Sequence, residues 1–384
     1  MAFCAKKGDG FFSKHIFKTM SKNKITIGIT HGDINGIGYE VIMKTLNDPR
    51  ILEMCTPVIY GSPKVAAYHR KALHMEAFNF NSVRNAAEAD SRKVNIVNCI
   101  DDNVRVELGK ISEVAGEASY MALETAVYDL KAGLIDALVT APISKDNIQS
   151  DKFNFPGHTE FLAQQFHSDN YLMLMVSEMM KIGVVTGHVP IAKVPSLITK
   201  EAIVRKLRIM AASLEQDFSV QRARIAVLGL NPHAGDGGLL GQEEKDIIIP
   251  AIEQAKDQGI LAIGPYPADG FFGSGDYAKF DAILAMYHDQ GLTPFKAISF
   301  EKGVNYTAGL PVVRTSPAHG TAFDIAGEGK ASPDSFREAL YMAIDICKNR
   351  ALHKEISRNP LKKFEINPNQ VDETVDFVDE EPAL

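Results

Sequence analysis

The chain reads as an α/β protein whose mainly parallel sheet is covered on both faces by helices. Three observations predict this. Short β-rich runs alternate along the sequence with stretches of helical periodicity, the pattern that feeds strand–helix–strand units. Hydrophobic residues make up 45% and charged residues 23%, the balance of an ordinary globular protein. A length of 384 residues exceeds one compact core and predicts two or three domains.

The spacing predicts strands at 25–29, 58–60, 94–97, 137–140, 172–176, 182–186, 225–228, 282–286 and 312–314. Between them, Tyr120, Leu123, Val127 and Leu130 recur at helical spacing, and Gly133 can close that helix. Ile203, Leu207, Met210 and Leu214 repeat likewise. Ser332 and Pro333 read as N-cap and first position of a helix carrying Phe336, Leu340 and Cys347. In sheets of this kind ligands bind beyond the carboxyl ends of the strands.

Charge and cysteine content exclude several classes. A net charge of −7, with no basic stripe interleaved with aromatics, does not favour nucleic acid. None of the four cysteines forms a C-x-x-C pair, which argues against a zinc ribbon or a disulfide framework and fits a reducing, cytoplasmic setting. No apolar run approaches the ~18 residues of a membrane span. The first 24 residues carry six lysines and one acid; 1–23 is expected to be a disordered basic arm. Residues 366–384 are expected to be a solvated acidic tail.

Three histidines each stand within five residues of a predicted strand end: His188, His233 and His288. Glycine or proline turns the chain beside each of them. If the strands share one sheet, all three imidazoles reach one edge. A single histidine in such a place is ordinarily a hydrogen-bonded loop residue. Three of them offer the donor set of an open, catalytic divalent-metal site.

Anion-binding groups lie nearby in sequence. Gly157-His158-Thr159-Glu160 opens an apolar periodic stretch and reads as a helix N-terminus, where free N–H groups attract phosphate or carboxylate; Thr159 as a plain N-cap is the alternative. Lys296, Asn305 and Arg314 follow, with Lys145 a weaker candidate. The glycine-rich run Gly32 to Gly38 has the wrong register for a dinucleotide fingerprint. The segment Ala318 to Gly327 reads as a structured loop with exposed N–H groups.

Taken in order, the motifs Gly157–Phe161, Thr186–Pro190, Gly229–Gly238, Met286–Gly291, Gly303–Ser316 and His319–Ala322 resemble the 4-hydroxythreonine-4-phosphate dehydrogenase family over about 24–349. The resemblance implies that His188, His233 and His288 bind one divalent metal ion (zinc, cobalt or magnesium). It implies that His158, Thr159, Lys296, Asn305 and Arg314 hold a small phosphorylated hydroxy acid. It implies a homodimer with the active site between domains at the subunit interface, His288 coming from the partner chain. A wider resemblance is to the isocitrate and isopropylmalate dehydrogenases, through Gly32–Glu40 and His319–Gly327. It implies NAD, or NADP, near His319, Gly320, Thr321, Ala322 and Asp324. It also implies two α/β/α domains with a cleft between them: 24–150 plus 325–365, and 151–324. Two departures stand out: Ala318 replaces a family Asp, and Ser332 replaces an adenine-side Asn of the isopropylmalate enzymes.

The activity this implies is NAD-linked oxidation of a substrate hydroxyl next to a metal ion, followed by loss of CO₂. Lys296 is a candidate base if its pKa is depressed, and otherwise a phosphate ligand. A sister enzyme acting on 4-phosphoerythronate or 4-phosphothreonate shares every motif, and so does a non-catalytic metal- or phosphate-binding relative.

Overall fold

The computed structural model describes residues 24–101 and 103–360, so the basic arm and the acidic tail lie outside the described residues. The strands are β1 (Ile25–Thr30), β2 (Cys55–Gly61), β3 (Asn81–Val83), β4 (Asn95–Asn98), β5 (Ala137–Thr140) and β6 (Leu172–Val176). They continue as β7 (Lys181–Thr186), β8 (Arg224–Leu228), β9 (Leu261–Tyr266), β10 (Ala282–Tyr287), β11 (Val304–Ala308) and β12 (Val313–Pro317). The helices that matter below are α1 (Gly38–Leu46), α2 (Pro63–Ala72), α3 (Glu113–Lys131), α4 (His158–Gln165), α5 (Lys200–Gln216), α6 (Ile249–Asp257), α7 (His288–Ser299) and α8 (Asp334–Ile356).

All twelve strands join one sheet in the order β3-β4-β2-β1-β5-β12-β11-β6-β7-β10-β8-β9. Most neighbours are parallel, as predicted. The exceptions lie at the centre: β11 is antiparallel to β12 and β6, and β6 is antiparallel to β7. Three reversals leave the wing β7-β10-β8-β9 running opposite to the wing β4-β2-β1-β5-β12. The two wings remain parts of one continuous, mostly parallel sheet.

Both faces of the strands are buried. Ile225 and Val227 of β8 enter one apolar cluster, while Ala226 and Leu228 enter another. Alternate side chains point to opposite faces, so each strand needs cover on both sides. α3 and α4 supply it through Leu123, Val127 and Phe161, packed with Val58 and Leu138. α5 and α8 supply it elsewhere through Ile203, Leu207, Phe336 and Leu340.

A buried charge ties three elements together. The Asp217 carboxylate accepts from Ser213 Oγ at 2.6 Å, Tyr306 Oη at 2.6 Å and Arg350 Nε at 2.7 Å. Removing one partner of such a pair leaves an uncompensated charge, a loss of roughly 3–5 kcal/mol.

Three strands escape the sequence reading for local reasons. β3 has three residues. β11 interleaves Asn305 and Thr307 with its apolar residues. β9 contains Gly264 and Pro265, which read as breakers, yet it is an edge strand, where proline is tolerated. The final helix starts one residue later than predicted. Pro333 occupies the N-cap, and Ser332 Oγ accepts from the Asp334 N–H at 3.3 Å.

Candidate active site

The central antiparallel strands carry a cavity of about 640 Å³ on one face. Met173 and Met175 stand two apart on β6 and so share that face. Their register partners on β11 are Thr307 and Asn305. Beyond the strand ends, the cavity takes in the segments after β5 and β7 and the start of α7. It therefore reaches over the strands themselves as well as past their carboxyl ends.

α4 aims its first turn into this space. Its N-cap is Gly157, so Thr159 sits inside the helix and is no cap. Thr159 Oγ1 lies 3.3 Å from Thr307 Oγ1, which seats the helix start on β11. His158 is buried, and its Nε2 has no hydrogen-bond partner. Burial, then the charges of Arg314 and Lys145, hold its pKa well below the ordinary histidine value. It is a neutral imidazole at neutral pH with one nitrogen uncommitted.

Arg314 is the most telling group. It is 3% exposed, and its Nε and Nη2 donate to Thr140 Oγ1 at 3.1 and 2.6 Å. Thr140 closes β5, and the register pairs Arg314 with Leu138 two residues earlier on the same face. Among the described residues no carboxylate pairs with this guanidinium. Desolvation lowers its pKa to about 10. A buried cation without a counter-ion is costly, and an anionic ligand removes that cost. Asn305 Oδ1, also buried, has no partner either. Lys145 and the exposed Lys296 add positive charge to the wall.

Two of the three predicted metal ligands come together. β7 and β10 are parallel neighbours, with Tyr287 opposite Thr186. Their carboxyl ends place the rings of His188 and His288 with centroids 5.5 Å apart. His288 thus joins His188 within one chain, which corrects the expectation that it arrives from the partner. Its Nδ1 lies 2.7 Å from Asp289 Oδ1. A carboxylate on one ring nitrogen fixes the tautomer and leaves the other free to ligate. Burial lowers the pKa of His188 and favours its neutral, ligating form.

His233 does not line the cavity. It follows β8, the other neighbour of β10, and is exposed on a loop in which residues 233–237 all have positive φ, with φ 51° at His233 itself. The buried Glu244 braces this left-handed loop: its Oε1 accepts from the N–H groups of Leu230 and Asn231, each at 2.8 Å. Such backbone costs free energy and persists only when its surroundings hold it. Among the described residues, no three His, Cys, Asp or Glu side chains are grouped to hold a metal ion.

Of the cofactor-side residues, His319 and Gly320 reach the cavity rim. His319 Nε2 is buried without a partner, and a side chain at Gly320 would meet only open space. Thr321, Ala322 and Asp324 do not line the cavity. The Thr321 carbonyl accepts from the Ile37 N–H at 3.0 Å. A Cβ at Gly36 would come within 2.8 Å of that carbonyl, so only glycine permits this approach. The glycine-rich run after β1 is thus a buried packing element. Sequence reasoning passed over Glu160, Thr140 and Lys206 at the wall. Glu160 stood in the quoted motif at the α4 start and was the one findable signal.

The His188–His288 pair and the buried Arg314 guanidinium without a carboxylate make a pocket on an α/β sheet suited to a small anion. The sequence profile of the family described as "Pyridoxal phosphate biosynthetic protein PdxA" matches residues 53–343. The chain belongs to that family, and it is a dehydrogenase. It is 56% identical to the 4-hydroxythreonine-4-phosphate dehydrogenase of Bacteroides thetaiotaomicron, over 94% of this chain and 100% of that protein. A relative from Oceanobacillus iheyensis, named for D-threonate 4-phosphate dehydrogenase activity, is 38% identical over 85% of this chain and 99% of its own length. The crystal structure of 4-hydroxythreonine-4-phosphate dehydrogenase from Klebsiella pneumoniae is similar with a TM-score of 0.73 at 32% identity, covering 85% of this chain and 99% of that one. Among the described residues no helix is long and apolar enough to cross a membrane.

Proposed function

We propose that the chain oxidises 4-phosphooxy-L-threonine to 2-amino-3-oxo-4-phosphooxybutanoate, which loses CO₂ to give 3-amino-2-oxopropyl phosphate for pyridoxine 5'-phosphate synthesis in the cytoplasm. The observation that carries this is Arg314, a buried guanidinium without a carboxylate, opening onto a cavity with unpartnered His158 and Asn305. The donor set fits a divalent cation if a third imidazole joins His188 and His288. The exposed His233 supplies it from a second copy, so the site belongs to a homodimer. When bound, the cation supplies Lewis acidity at the substrate hydroxyl, and NAD supplies the hydride acceptor.

The chain's own groups then divide the work. Arg314 and Lys145 balance the substrate's phosphate and carboxylate charges. Thr159 and Asn305 orient its polar groups. Lys296 is a phosphate ligand and the candidate acceptor of the hydroxyl proton. His319 and Gly320 edge the cofactor side. The hydride leaves C3 for NAD and the proton leaves the oxygen. The C1–C2 bond of the resulting β-keto acid then breaks as CO₂ departs, and C2 takes up a proton.

The test is NADH formation from 4-phosphooxy-L-threonine by the purified protein, with and without a chelator. NADH should appear only with metal present. No NADH with this substrate under any metal sinks the reading. The Oceanobacillus relative supports a second reading, a 4-phosphothreonate dehydrogenase, and running that compound in parallel separates the two. Mixing His188→Ala with His233→Ala chains tests the shared site. Inactive alone, together they should recover roughly a quarter of full activity, since half the dimers hold one intact site.

A further inference from the structure

Lys44 of α1 commits all three of its ammonium N–H groups inside the fold. Its Nζ donates to Glu40 Oε1 at 2.8 Å, to the Gly329 carbonyl at 2.8 Å and to the Ala331 carbonyl at 2.7 Å. The same Glu40 oxygen accepts from the Ala331 N–H at 2.8 Å. One ion pair therefore fixes both backbone groups of Ala331, and its carboxylate side chain is only 1% exposed. These bonds hold the far end of the loop that begins at the cavity rim with His319 and Gly320. The near end is held at Thr321, whose carbonyl accepts from the Ile37 N–H just before α1.

Between the two fastenings Ala322 is left-handed, with φ 44°. That conformation is strained for a residue with a Cβ and persists only where the surroundings fix it. A second segment backs the loop. Asn35 Oδ1 accepts from the Glu107 N–H at 2.7 Å, and the Asn35 carbonyl accepts from the Gly109 N–H at 2.9 Å. A Cβ at Gly109 would come within 2.9 Å of the Phe323 carbonyl. A charged pair is a costly way to pin a helix to a core, since apolar groups of similar volume often do as well or better. What the pair adds is direction, through three hydrogen bonds that end on loop backbone. The loop so held presents the unpartnered His319 Nε2 and open space at Gly320 to a ligand.

We propose that the Lys44–Glu40 pair is a positioning clamp that presets this rim loop for NAD, so that cofactor binding does not have to order it. This rests on the proposed function, which puts NAD on the His319 side. If the clamped population falls to about one tenth, the apparent Kd for the cofactor rises about tenfold.

The experiment compares the metal-loaded wild type with Lys44→Met, which keeps the stem and removes the donors, and with Gly329→Ala, which disturbs the loop from its own side. Gly329 has φ +70°, unfavourable for alanine, while an added Cβ would meet nothing within 4 Å. The first readout is the Kd of NADH by fluorescence titration. The second separates KM for NAD from kcat and from KM for 4-phosphooxy-L-threonine. The third is hydrogen exchange at the amides of 321–331, and the fourth is bound metal per chain. Both variants should raise the NADH Kd and the KM for NAD about tenfold and speed exchange in the loop. They should leave kcat, the substrate KM and the metal content unchanged. An unchanged Kd, or an equal loss for substrate and cofactor, overturns the proposal. If Lys44→Met does not fold, Gly329→Ala decides by the same readouts. A wild type that binds NADH yet oxidises no 4-phosphooxy-L-threonine sinks the substrate reading, and the binding arm still decides the clamp. A wild type that binds no NADH overturns the clamp's role.

Discussion

Two histidine pairs stand at opposite ends of the same design. His31 directly follows β1 and precedes Gly32, while His188 closely follows β7 and is preceded by Gly187. In sequence they look alike. In the fold, His31 stacks on Tyr39 of α1 with centroids 5.3 Å apart, and Tyr39 stacks on His69 of α2 at 5.0 Å. His69 Nε2 bonds the Ile34 carbonyl at 2.8 Å. Both rings are sealed, and burial lowers both pKa values to about 4. His188 and His288 have no such lid and face the cavity instead. A strand-end histidine becomes core or ligand according to what covers it, and that depends on helices distant in the chain.

The largest expected effect falls on the open side. Replacing Arg314 with Ala removes the buried cation facing the ligand and should lower kcat/KM by about a hundredfold or more. Thermal unfolding of that variant should shift little or even upward, because an unpaired buried charge is gone. An active Arg314→Ala enzyme would break the contrast between the two regions.

On the sealed side, His31→Ala should cost roughly 2–4 kcal/mol in urea unfolding by leaving a hole in the stack. Turnover per folded molecule should hold. Loss of turnover at intact stability would mean that this pair, too, serves the reaction.

The pH dependence of stability sharpens the comparison. The folded pKa values of His31 and His69, about 4, lie below the ordinary histidine value of 6.5. Between those limits the unfolded chain binds more protons than the folded one. The stabilisation is therefore complete above pH 6.5 and declines as pH falls toward 4, by about 1.4 kcal/mol per pH unit per histidine at most. Urea midpoints at pH 7 and pH 5 read the decline, and His31→Phe should flatten it by about half. A flat wild-type profile contradicts the sealed, neutral state.

The smallest effect concerns Asp289, exposed beside His288. Asp289→Asn should weaken metal binding about tenfold and leave the fold unchanged. Competition with a chelator measures it. An unaltered affinity would leave the His288 tautomer set by something other than this carboxylate.

The sequence by itself determined the α/β class, nine of the twelve strands and the helix start at His158, because those rest on local periodicity and turn chemistry. It also placed His188, His288, His158, Asn305 and Arg314 among the candidates, and the fold brings these five to one cavity. Three things waited for the tertiary structure. The central strands reverse because two local antiparallel pairs, β6–β7 and β11–β12, meet through β6 and β11 across more than a hundred residues. Arg314 finds Thr140 and no carboxylate at a separation of 174 residues. His233 turns outward on a left-handed loop that Glu244 holds. The first two are long-range pairing decisions and the third needs a brace beyond the turn itself; local residue order carries periodicity and turns but not which strand or side chain completes them.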